Sequence, residues 1–166
     1  MSPSVSHQHD AALFNVTREL FETEKQRFLD NMEFTRTQRL RVKNSWLTFN
    51  NHKTCFGMAH WDGKVEISKA FVRMGFGVWD TIVHELAHIA AGIDHGHDDV
   101  WINIYRALGG EGGATCEVPA DMLPPAKWTL KCTSCSWSYP RYRRNYKYKG
   151  VYICCECDSP MKFKHN

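Results

Sequence analysis

Residues 78–92 read Val78-Trp79-Asp80-Thr81-Ile82-Val83-His84-Glu85-Leu86-Ala87-His88-Ile89-Ala90-Ala91-Gly92. The apolar residues recur at helical spacing and predict a helix over 81–91, capped by Asp80 and ended by Gly92. Residues four apart lie one above the other on a helix, so His84 and His88 can reach one metal ion from a rigid element. Glu85 projects about 100° round the helix from His84, beside such an ion instead of onto it, which suits a general base. Zinc held by three protein ligands keeps an open position for water and lowers its pKa to about 7, so that a carboxylate can take the proton as the water attacks a polarised carbonyl.

A third ligand should follow the turn at Gly92, where His95 and His97 both stand. A histidine six residues after His88 would mark one class of zinc protease, but position 94 is Asp. His97 is favoured because it opens the next predicted helix, 98–108, where Trp101 one turn later would fasten the helix to the core and hold the imidazole. Glu111 and Glu117 lie among glycines and prolines, a poor platform for a fixed ligand. His95, Asp98 and Asp99 read as solvated turn residues, with support of the metal site as the alternative. His7, His9, His52, His60 and His165 lack metal-like spacing.

Outward towards the N-terminus, Leu13, Val16, Leu20, Phe21 and Phe28 predict an amphipathic helix over 11–31. Short β-favouring runs come next, 40–49, 55–60 and 65–67, separated by Asn50-Asn51 and Asp62-Gly63 turns, and these predict a three-stranded antiparallel sheet. Towards the C-terminus, the 98–108 helix should bury Val100, Trp101, Ile104, Tyr105 and Leu108 and stop at Gly109-Gly110. Residues 111–126 read as a linker.

Beyond it, Cys132-x-x-Cys135 and Cys154-x-x-Cys157, eighteen residues apart, form the spacing of a four-thiolate zinc ribbon. Cys155 is the spare, and with Cys55 and Cys116 it is expected to be a free thiol. A disulfide framework is the competing explanation of the pairs. Residues 127–166 carry nine Lys or Arg against two acids, a formal +7, so the preceding 126 residues carry −4. Arg141, Arg143, Arg144, Lys147 and Lys149 alternate with Trp137, Tyr139, Tyr142, Tyr146, Tyr148 and Tyr152 in a hairpin-like pattern with a turn near Arg144-Asn145. Cations that neutralise phosphates beside rings that stack on unpaired bases suit single-stranded or locally unpaired DNA. The competing reading makes the rings a small core and the charges its solvated face.

The length, 166 residues, fits one conventional domain with a small appendage. No apolar run approaches the roughly 20 residues needed to cross a bilayer. The polar N-terminus lacks a secretory pattern, so a cytoplasmic or nuclear location and no membrane partner are expected.

The order of these features, an N-terminal helix, a small sheet, a His-Glu-x-x-His helix, His97-x-x-x-Trp101, Gly109-Gly110, then a four-Cys ribbon containing Tyr139-Pro140-Arg141-Tyr142-Arg143-Arg144, resembles the SprT-like family. The resemblance covers nearly the whole chain after residue 11. It implies an α+β fold, with a minimal zincin-like metalloprotease domain over 11–110 and a basic zinc ribbon over 127–166. It further implies His84, His88 and His97 as ligands of a catalytic zinc, Glu85 as base, a structural zinc on the four cysteines, and proteolysis of DNA-associated proteins, including DNA–protein crosslinks. Ser136 and Asp158 stand where such knuckles often carry Gly, and Asp tolerates a left-handed backbone better than Ser. Two rival functions are a non-catalytic zinc-ribbon DNA-binding protein and a protease dedicated to one protein such as a repressor. An intact Glu85 favours an enzyme, since a scaffold needs ligands but no base.

Overall fold

A computed structural model describes residues 5–75, 77–113, 123, 125–142, 144–146, 148 and 150–166. The chain is mixed helix and sheet and divides into two compact units, Met1–Val118 and Pro119–Asn166, each with its own apolar core.

The first unit begins with α1 (Val5–Asp30), whose buried stripe is Thr17, Phe21, Glu24 and Phe28. This is the i, i+4, i+7, i+11 pattern of one helix face. Val16, expected on that face, is exposed at 61%. Glu24 takes a place in the stripe because its charge is met: Arg27 Nε donates to it at 2.7 Å and Trp79 Nε1 at 2.9 Å.

The run read as one strand over 40–49 is two elements. Helix α2 (Arg36–Lys43) opens with a capping box, Thr35 and Gln38 each bonding the other's backbone N–H, and β1 is only Trp46–Asn50. The Thr-x-x-Gln signal stood in the sequence and outweighs the β propensity of Leu40 and Val42. Strands β2 (Gly57–Ala59) and β3 (Lys64–Ser68) complete the sheet in the order β1-β3-β2. The sheet is mixed, not antiparallel: β2 and β3 form a hairpin, but β3 pairs in parallel with β1. The 51–56 connection carries the chain past the central position to the far edge, and β3 returns into the gap. Val65 and Ile67 then face the core while Lys64 and Glu66 face outward.

A short helix, α3 (Lys69–Met74), capped by Ser68 and closed by Gly75 in the left-handed region, was not expected from the sequence. Helix α4 (Val78–Ala91) starts three residues earlier than predicted, at Gly77 with φ 61° and without a side-chain cap. Asp80 does not cap it; its carboxylate accepts a short hydrogen bond from Tyr105 Oη on the next helix. Gly92 ends the helix as expected, at φ 102°, and its N–H donates to His88 O. Helix α5 (Asp99–Ala107) is capped by Asp98, which accepts from Val100 and Trp101 N–H. Trp101, Ile104, Tyr105 and Leu108 are buried, whereas Val100 is exposed.

The second unit is a four-stranded antiparallel sheet of β4 (Trp128–Cys132), β5 (Ser138–Arg141), β6 (Tyr152–Ile153) and β7 (Pro160–His165), in the order β5-β4-β7-β6. The segment between the cysteine pairs is not one hairpin. Each Cys-x-x-Cys turn folds its own flanking strands together, so β5 and β6 end on opposite edges. No helix among the described residues is long and apolar enough to cross a membrane.

Candidate metal centres

Two groups of side chains converge as metal ligands do: His84, His88 and His97 in the first unit, and Cys132, Cys135, Cys154 and Cys157 in the second. His97 Nε2 lies 3.1 Å from His84 Nε2 and 3.1 Å from His88 Nε2. Two nitrogens at zinc distance and a tetrahedral angle stand about 3.3 Å apart, so the spacing fits one zinc ion. Trp101, fully buried, forms the floor: its ring centroid is 4.6 to 5.2 Å from each imidazole, and its Nε1 reaches His84 O at 3.4 Å. Its indole also stacks on Tyr105, with ring centroids 4.8 Å apart.

Burial, followed by the positive charge its neighbours would carry, pulls His84 down to about 3; the same causes pull His88 down to about 4. Both rings are therefore neutral near pH 7, the form that ligates metal. The His95 backbone carbonyl bonds the His88 ring, a contact that fixes how a ligand imidazole points. The His95 side chain is engaged elsewhere, its Nδ1 2.7 Å from Asp98 Oδ2. His97 is thus brought to the cluster, while His95 supports it through its main chain. Glu111 is exposed, and Glu117 lies outside the described residues.

Glu85 lies beside the triad, only 6% exposed. Burial pushes its carboxyl up to about 8, opposed by a hydrogen bond from the Ala59 N–H. A cation at the histidines would favour the ionised form. Strand β2 approaches so closely that a Cβ on Gly57 would stand 2.8 Å from Glu85 Oε1 and 2.7 Å from Thr81 Cγ2. Neither contact of β2 with Glu85 was foreseen. The available signal was a glycine inside a β-favouring run, which marks close backbone approach.

In the second unit, Cys132 Sγ is 3.5 Å from Cys157 Sγ and Cys135 Sγ is 3.7 Å from Cys154 Sγ. Sulfurs sharing a tetrahedral zinc stand about 3.8 Å apart, far beyond the roughly 2.05 Å of a disulfide. The six described cysteines are free. Backbone N–H groups of Ser134 and Cys135 point at Cys132 Sγ at 3.3 and 3.4 Å and bring its thiol down to about 6. Burial pushes the Cys154 thiol up, opposed by hydrogen bonds from the Glu156 and Cys157 N–H groups. Asp158 stands at φ 53°, the one non-glycine residue with positive φ among those described. Cys116 lies outside the described residues, and Cys55 donates to Gly57 O at 2.8 Å.

Of the cations expected to meet nucleic acid, Arg141 lies over Tyr139 and Tyr152, and the exposed Arg144 over Trp128, Tyr146 and Phe163. Arg144, Tyr146, Tyr148, Tyr152 and Phe163 line an open groove of about 780 Å³. Arg143, Lys147 and Lys149 lie outside the described residues.

The first unit therefore carries a three-histidine group with a buried carboxylate at its side, and the second a four-thiolate group; each could hold a metal ion, with zinc the one their donors suit. Comparison with protein-family models, curated proteins and solved structures returned no match.

Proposed function

We propose that this chain is a zinc-dependent endopeptidase of SprT-like type, built on a zincin-like domain and acting on DNA-associated proteins, DNA–protein crosslinks among them. The observation that carries the reading is the placement of Glu85: a buried carboxylate beside three converging imidazoles, on the side where β2 passes. A bound zinc supplies Lewis-acid polarisation of a carbonyl and acidifies water. Glu85 Oε takes a proton from the attacking water and returns it to the leaving amine nitrogen. The Ala59 N–H holds the carboxylate in place. Trp101 keeps the floor of the site dry, and Asp98 caps the helix that begins just after His97.

The basic second unit supports the DNA part of the reading. The formal +7 of its residues 127–166 is joined to a groove walled by Arg144 and exposed tyrosines, where phosphates and unpaired bases would both find partners. The test is cleavage of a DNA-binding protein with and without single-stranded DNA, comparing wild type with Glu85→Gln. Wild type should cleave faster with DNA, and the variant should lose at least about a hundredfold in rate with its zinc retained. Arg141→Glu with Arg144→Glu should flatten the salt dependence of DNA binding by about 1 to 1.5 units of log-log slope. Equal cleavage by wild type and Glu85→Gln would defeat the peptidase reading. DNA-independent cleavage would point instead to a protease dedicated to one protein.

A further inference from the structure

A cleft of about 320 Å³ opens beside His88, walled by the β2–β3 turn and by the segment that leaves α4. Trp61 and Ile93 supply its apolar surface and are 85% and 46% exposed. Asp62 and Asp94 supply its carboxylates. Among the described residues no cation comes within ion-pair distance of either. Asp62 Oδ1 accepts the Lys64 N–H at 3.1 Å. Arg41, the permanent cation among the described residues that line the cleft, is engaged: its Nη1 donates to Ala90 O at 3.1 Å and Ala91 O at 2.8 Å. Those carbonyls end α4, where the helix dipole is negative, so Arg41 is held against the backbone and not against either carboxylate.

An apolar wall leading to two carboxylates that pair with no cation among the described residues matches a side chain with an aliphatic stem and a cationic head. The stem packs on Trp61 and Ile93, and the head reaches the acids and the indole face. An acidic side chain would meet two like charges, and a short one would reach neither carboxylate. We infer that this cleft is a substrate subsite that selects lysine or arginine near the bond to be cleaved, with Trp61, Asp62 and Asp94 as its specificity determinants. The inference rests on the peptidase reading. It also agrees with it, because proteins that sit on DNA carry the lysines and arginines that neutralise phosphates.

The experiment uses the full zinc-loaded chain carrying Glu85→Gln and four labelled, end-blocked peptides of Ala, Ser and Gly. Their central residue is Lys, Arg, norleucine or Glu, and binding is read by fluorescence anisotropy. The Lys and Arg peptides should bind about fivefold more tightly than the norleucine peptide, and the Glu peptide should bind weakest. Asp62→Asn with Asp94→Asn keeps the oxygen that accepts the Lys64 N–H; it should erase the Lys and Arg advantage while leaving the zinc content unchanged. Equal affinities, no measurable binding of any peptide, or an advantage that survives in the double variant would overturn the inference. Cleavage of the same peptides by the chain with Glu85 intact tests the peptidase reading separately, so selective binding without turnover would sink that reading alone.

Discussion

The two candidate metal groups stand in opposite relations to their cores. In the first unit His84 and His88 sit on α4 and His97 just before α5, helices packed by Phe21, Phe28, Ile82, Leu86, Trp101 and other fully covered side chains, none of them a ligand. In the second, the buried cluster is Leu130, Cys132, Cys154 and Met161, so two of its four members are themselves candidate ligands. A core that closes without the ion leaves the ion free for chemistry. A core made partly of ligands spends the ion on folding.

Metal removal should separate the units most sharply. Structural zinc contributes on the order of 10 kcal/mol to a small metal-held fold, so chelation should collapse the dispersed NMR amide signals of residues 127–166 while those of α4 and α5 shift near the histidines but stay dispersed. Ribbon signals that stay dispersed without metal would break the contrast. Next in size is the metal stoichiometry. Elemental analysis should give two zinc ions per chain, one for each ligand group. His84→Ala with His88→Ala should leave one, as should His97→Ala, whereas His95→Ala should retain both because its side chain is turned to Asp98. Loss of zinc in His95→Ala with retention in His97→Ala would reverse the assignment.

Two smaller effects refine the comparison inside each unit. Gly57→Ala would press a methyl group against Glu85 and Thr81. It should cost about 1 to 3 kcal/mol in thermal or denaturant unfolding and at least tenfold in cleavage rate, with the zinc content intact. Unchanged turnover would show that Glu85 does not depend on the close approach of β2. At Asp158, φ 53° penalises a β-branched side chain by about 1 to 2 kcal/mol. Asp158→Val should therefore weaken zinc binding by the four-cysteine group about tenfold in a competition titration with a chelator, and Asp158→Gly should leave it as tight or tighter.

The legible parts of the molecule were those in which spacing alone carries meaning. His84 and His88 had to share a helix face, and the paired cysteines had to form turns. Trp101 was likewise expected under the third imidazole. What the sequence concealed were contacts made across long separations. Asp80 looked like a helix cap because it precedes the apolar run, but a tyrosine 25 residues later claims it. The parallel pairing of β1 with β3 came from a crossover that no local turn signal announces. The aromatic segment between the cysteine pairs alternated like a hairpin, yet its two ends pair outward with different strands.

Arg41 sets an order of events. It holds the last carbonyls of α4 from 49 and 50 residues earlier in the chain. Helix formation alone can align His84 with His88 within about a microsecond, but the α4 terminus that leads to His97 is secured only when α2 has docked, a long-range closure that comes later. An ion arriving early in folding meets two ligands instead of three. The complete trio, and with it whatever a bound ion does there, is then withheld until the surrounding domain has formed.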